Sequence, residues 1–127
     1  MRRTDQRRAA VVALYQSDVT GRPLSDLLDP RAKDFTRELV EGVDAEREEL
    51  DALIERYAEG WTVDRVAPLE RNIMRVALFE LLSRDDIPAE VAIDEAVEAA
   101  KELCSREAPS FLNGILGAVQ RERAAQA

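Results

Sequence analysis

The sequence predicts an all-α fold, on three observations. Glycine and proline are scarce, five of each in 127 residues, and they stand where helices would start or stop. Apolar residues recur at steps of three and four through nearly the whole chain, the spacing of one buried helix face. No stretch alternates apolar and polar residues as a half-buried strand would. At this length one domain is expected, and it buries roughly two thirds of its unfolded surface, enough for a core without disulfides.

The first helix is expected from Thr4 or Asp5, either of which can cap it, to about Val19, with Ala10, Val11, Leu14, Tyr15 and Asp18 along one side. Thr20-Gly21-Arg22-Pro23 stops it. Ser25 can cap a short piece, Asp26-Leu27-Leu28, which Asp29-Pro30 ends. Phe35, Leu39, Val43, Leu50, Ile54 and Tyr57 then form one stripe of a helix from about Arg31 to Ala58. Gly42 lies inside that stripe at a cost of about 1 kcal/mol relative to alanine, so a bend or break is expected there. Gly60 ends the stripe, and Trp61 to Val66 reads as a turn or a single helical turn, with Trp61 expected as a core plug.

Pro68 suits the first turn of the next helix, where its missing N–H is not needed. Apolar residues cover almost the full circumference of Leu69–Leu82, so this helix belongs in the middle of a bundle. Asp85-Asp86-Ile87-Pro88 breaks the chain, and Ala89–Cys104 reads as a helix burying Ala92, Ala96, Val97, Ala100, Leu103 and Cys104. Pro109 opens a last helix reaching about Arg123, with Phe111, Leu112, Ile115, Leu116 and Val119 spaced for burial and Ala124–Ala127 fraying. Gly114 is expected to let another backbone come close.

Histidine is absent and the single cysteine, Cys104, can make no internal bridge. Histidine-dependent triads and zinc sites are therefore excluded, and neither a metal nor a cofactor is expected. There is no signal-peptide pattern and no apolar run near the ~20 residues that span a bilayer, so a soluble, cytoplasmic protein without a membrane partner is expected. Composition points to a binding protein over an enzyme. The formal net charge of −8 is unevenly spread. Residues 1–8 hold Arg2, Arg3, Arg7 and Arg8 against Asp5, a +3 arm, leaving −11 on the rest. An arm of that kind suits phosphates and the acidic body suits a basic protein, although terminal arginines can be merely solubilising. Arg71 and Arg75, four apart, read in isolation as a solvated stripe, and Cys104 as a small buried apolar residue. Glu80 interrupts the apolar run Ala77–Leu82, so it is either paired with Arg84 one turn on or exposed where a basic partner docks.

The run Pro88-Ala89-Glu90-Val91-Ala92-Ile93-Asp94-Glu95-Ala96-Val97-Glu98-Ala99-Ala100-Lys101, followed by Phe111-Leu112-Asn113-Gly114-Ile115-Leu116, resembles the NusB family of bacterial transcription antitermination factors. Ala13-Leu14-Tyr15, Gly42-Val43, Leu50-Asp51, Trp61 and Glu70-Arg71-Asn72-Ile73-Met74-Arg75-Val76-Ala77-Leu78-Phe79-Glu80-Leu81 agree with it, in order, from Arg7 to about Leu116. The resemblance implies about seven helices packed as two three-helix bundles, here about 9–58 and 62–123 behind the arm, without catalytic activity. It implies binding to boxA leader RNA of ribosomal RNA operons as a heterodimer with the ribosomal protein NusE, within an antitermination complex on RNA polymerase, and it leaves a homodimer possible. It singles out Phe111 and Tyr15 as stacking platforms, with Glu70 and Arg71 as polar readers, and favours partner docking at Glu80 and Arg84. The four arm arginines would hold phosphates. Engaged together on a single strand they give a log–log salt slope of about −2.8, or about 50-fold weaker binding for a fourfold rise in salt.

The arm is split by Thr4-Asp5-Gln6 and the body is acidic, so weak RNA binding alone and tighter binding with NusE are expected. Two other functions remain open: a helical interaction or dimerisation module that does not touch RNA, and the NusB-like front domain of an RNA cytosine methyltransferase. Against the latter stand the chain's length, the lack of a methyl-donor glycine turn or a catalytic Pro-Cys pair, and an Ala/Gln-rich end that looks like a natural terminus.

Overall fold

The structure, a computed structural model, describes residues 1–126. Seven α-helices account for about three quarters of them: α1 (Arg3–Thr20), α2 (Leu24–Leu27), α3 (Asp34–Ala45), α4 (Arg47–Tyr57), α5 (Pro68–Ser83), α6 (Ala89–Leu103) and α7 (Ala108–Gln126), with one 3-10 turn at Val63–Arg65. Among the described residues there is no strand. No helix among the described residues is long and apolar enough to cross a membrane, and no cluster of His, Cys, Asp or Glu among them could hold a metal ion.

The all-round apolar helix is the centre of the molecule. Every residue of α5 from Asn72 to Glu80 is buried, and α5 packs against α1, α3, α4, α6 and α7. The alanines of α6 (Ala92, Ala96, Ala99, Ala100) are buried against its neighbours. Around α5 the core residues form one continuous cluster. The segment Arg47–Tyr57, expected with the N-terminal helices, packs on α5 and α7 as well as on α3.

Several element boundaries differ from those read in the sequence: α2 is Leu24–Leu27, so Ser25 lies inside it and Pro23 stands at the cap position expected for Ser25. The first helix begins at Arg3, just ahead of the expected Thr4 or Asp5, so Arg3, Arg7 and Arg8 project from its first two turns while Arg2 is its extended N-cap. The long helix from Arg31 to Ala58 is two helices, and the break falls at Glu46 (φ −107°, ψ 15°), not at Gly42. The break preserves hydrogen bonding on both sides, because Glu46 N–H donates to Gly42 O and Leu50 N–H to Glu46 O, each at 3.0 Å.

Gly42 has a different purpose. A Cβ at that position would overlap the ring of Phe79 on α5, so glycine is what lets α3 and α5 approach this closely. Gly114 has open space around its α-carbon, which corrects the expectation of a close backbone there. Leu103 is exposed and Cys104 only half-buried, where the helical spacing suggested burial for both. Helix α7 continues through Ala124, Ala125 and Gln126 without fraying; Ala127 lies outside the described residues.

Candidate RNA and partner-binding residues

The four N-terminal arginines are engaged by the chain's own carboxylates. Arg7 is 5% exposed and donates to Glu80 from Nε (3.0 Å to Oε1) and Nη2 (2.7 Å to Oε1), with Glu95 3.7 Å from Nη1. Arg8 Nε reaches Glu102 at 3.1 Å and ties α1 to α6. Arg3 lies 3.6 Å from Asp86 and 4.3 Å from the centre of the Phe35 ring, while Arg2 pairs loosely with Asp5. Arg2 and Arg3 remain accessible to a phosphate; Arg7 does not, and it is withdrawn from the candidate RNA contacts.

Glu80 needs the matching correction. At 1% exposure it meets neither a partner nor the Arg84 side chain, because Arg7 occupies both of its oxygens. Burial pushes the Glu80 carboxyl up, against the hydrogen bonds and charge of Arg7. A half-satisfied buried carboxylate on α5 would cost several kcal/mol, so an interior position needs the interior guanidinium that α1 brings to it. Arg84 turns instead to Glu38 on α3 (2.5 Å) and Asp86 (2.9 Å). Its guanidinium holds the Asp86 carboxyl down at about 2, chiefly through their hydrogen bonds. Glu80 is not free to dock a partner; Arg84, one-fifth exposed, is held by carboxylates of its own chain.

Arg71 is also a strut. Nε and Nη2 grip Asp18 on α1 at 2.7 and 2.8 Å. Nη1 points the other way, to the carbonyls of Val63, Asp64 and Val66 at 3.4, 3.4 and 3.2 Å. The planar fork of arginine can make both sets of bonds at once. Asp18 accepts further bonds from Asn72 Nδ2 (2.8 Å) and Arg75 Nη1 (3.0 Å). Burial raises the Asp18 carboxyl, but these donors outweigh it and hold the group well below the usual carboxylate range. Arg75, expected on a solvated stripe, is 4% exposed and completes a bidentate pair with Asp51 on α4 at 2.7 and 2.9 Å.

Phe111 and Glu70 do come together, in a groove of about 340 Å3 between the Val63–Arg65 turn and the start of α7. Its walls include Trp61, Arg65, Ser105 and Glu107. Burial, with the nearby Glu107 charge, pushes the Glu70 carboxyl up, and the Ser105 hydroxyl opposes this from 3.5 Å. Burial together with the Glu70 charge pushes the neighbouring Cys104 thiol up to about 11, so it stays protonated at neutral pH and unreactive. Tyr15 is half-buried on α1 and is not among the residues lining this groove.

Trp61 is the residue that the sequence misplaced. It is 50% exposed, not a core plug. The preceding Gly60 sits at φ +80° with nothing near its α-carbon, and Trp61 N–H closes the turn on Ala58 O at 2.8 Å. The left-handed glycine turns the chain away from the core just before the indole. A glycine directly ahead of a lone tryptophan, at the end of a helical stripe, was the available signal.

Comparison with known proteins agrees with this architecture. The model of the NusB family matches residues 4–121. The transcription antitermination protein NusB of Rubrobacter xylanophilus is 44% identical over 122 residues, covering 91% of this chain and 88% of its own length. That of Thermobifida fusca is 43% identical over 121 residues, with 90% and 85% covered. Among solved structures, T. maritima NusB superposes with a TM-score of 0.88 at 35% identity, covering 96% of this chain and 92% of that one. A crystal structure of the antitermination factors NusB and NusE in complex with dsRNA aligns with a TM-score of 0.84 at 25% identity, covering 94% and 96%. From its first helix into its last, the chain belongs to the NusB family.

Proposed function

We propose that the protein is a non-catalytic antitermination factor of the cytoplasm that binds boxA leader RNA of ribosomal RNA operons together with NusE, as part of an antitermination complex on RNA polymerase. The observation that carries this reading is the match, over nearly the whole chain, to a NusB fold solved with NusE and RNA. The exposed aromatic groove at Trp61 and Phe111 supports it, since single strands are read by stacking and by hydrogen bonds to splayed bases. The RNA-contacting set is Arg2, Arg3, Arg8, Phe111 and Glu70, with Tyr15 on the α1 side. Arg71 acts behind it as a positioning residue. The acidic surface suits a basic ribosomal protein, which then supplies most of the phosphate contacts.

Titrating labelled boxA RNA with the protein alone and with NusE present tests this reading. Much tighter binding with NusE is expected, and equal affinities overturn it. One observation favours a module that docks NusE or a second copy without touching RNA: the four N-terminal arginines are already paired internally. That reading requires no RNA binding in either arm of the titration.

A further inference from the structure

We propose that Trp61 is a stacking platform for one unpaired RNA base, which lies in the groove between Trp61 and Phe111 while Arg65 meets the adjoining phosphate. This rests on the RNA-binding reading above and adds a residue and a subsite to it.

Four features converge there. Tryptophan gains more from burial than most side chains, yet the only one in the chain is half-exposed beside a second aromatic, Phe111, and these two are the shared wall of two adjoining grooves. The groove volume of about 340 Å3 is at the low end of pockets that enclose small planar ligands. Arg65 lines the groove, is exposed, and makes no ion pair among the described residues, unlike the four N-terminal arginines. Finally, the turn that carries Trp61 and Arg65 is fixed from behind. Arg71 holds its carbonyls, and the Glu55 carboxylate accepts the Val63 N–H at 2.7 Å.

Charge sets the orientation of the nucleotide. Glu70 and Glu107 stand on the α5 and α7 side and disfavour a phosphate there, but a carboxylate accepts from a base amino group. Arg65, on the Val63–Arg65 turn, attracts the backbone. The base therefore points inward toward Glu70, stacked on the aromatics, and the phosphate stays outside.

Because Trp61 is the only tryptophan, its emission reports on this site alone. The protein is titrated with boxA RNA, first alone and then as the NusE complex, with the Trp61→Phe complex as the emission background and fluorescence anisotropy of labelled RNA as an independent binding readout. We expect saturable quenching of Trp61 that follows the anisotropy curve. Trp61→Leu, which keeps apolar bulk without a π-face, should bind about tenfold more weakly, and Trp61→Phe should restore most of that loss. Binding by anisotropy with unchanged Trp61 emission and a Trp61→Leu variant of wild-type affinity overturns the stacking role and leaves the RNA-binding reading standing. No binding by anisotropy in any arm overturns both.

Discussion

Arg7 on α1 and Glu80 on α5 form a two-donor ion pair in the interior, with Nη2 2.7 Å from Oε1 and side chains only 6% and 1% exposed. Removing one partner strands the other charge out of water. Arg7→Met should therefore cost about 3 to 5 kcal/mol in urea unfolding, whereas Arg7→Met with Glu80→Leu should recover much of the loss. A single variant as stable as wild type would show the pair to be energetically idle.

The accessible arginines make a separable contribution to RNA binding. With about −0.7 in the salt slope for each phosphate contact on a single strand, Arg2→Ala with Arg3→Ala should flatten the slope by about 1.4 and leave NusE docking intact. The measurement is boxA affinity at four or five salt concentrations, and an unchanged slope removes both residues from the interface.

Gly42 sets two effects against each other. Alanine in a helix gains about 1 kcal/mol over glycine, but its Cβ would overlap the Phe79 ring at an overpacking cost of about 1 to 3 kcal/mol. Gly42→Ala is expected to lower Tm, and combining it with Phe79→Leu should restore part of it. A rise in Tm for the single variant would mean that Phe79 moves aside freely.

Asp18 predicts an acid limb. Its folded pKa lies below the ordinary 3.8, so its stabilisation is fully present above that unfolded value and is lost as pH falls through the folded one. Asp18→Asn should be less stable than wild type at neutral pH, with the difference closing only in strong acid. A gap that closed on raising the pH would give the shift the opposite sign.

Arg71→Lys tests the strut. A lysine keeps the charge but cannot grip Asp18 with two donors and the Val63–Val66 carbonyls at once. The expected result is a loss of about 1 to 3 kcal/mol, with increased mobility of Trp61 in fluorescence anisotropy of the free protein. Unaltered Trp61 anisotropy would separate Arg71 from the groove.

Helical periodicity and helix-stopping residues made most of the fold legible, because they are local. The buried run of α5 and the turns at Gly21, Pro68 and Pro88 follow directly from spacing and backbone chemistry. What failed was whatever depends on a distant partner. The step of seven from Val43 to Leu50 fits one helix or two, so the break at Glu46 left no trace in the pattern. Arg7, Arg75 and Glu80 carry formal charge, which in a sequence reads as surface. Their burial depends on residues up to 73 positions away meeting them with matched geometry. Of the candidate site, Phe111 and Glu70 were identifiable from the motif that bears them, while Trp61 was missed because a lone tryptophan is expected inside.

The internal neutralisation of the arginine cluster also has a kinetic consequence. With those guanidinium groups each facing a carboxylate, the first two turns of α1 project little positive potential into solvent, and the field of the molecule at a distance is that of its acidic body. An approaching RNA then meets net repulsion once it comes within about one Debye length, roughly 8 Å at physiological ionic strength, beyond which the charges are largely screened. Encounter with RNA should be slow for the free protein and accelerated by added salt, the reverse of ordinary electrostatic steering. A basic partner bound first would invert the far field, so order of assembly, with protein joining protein before either meets RNA, is written into where the arginines point.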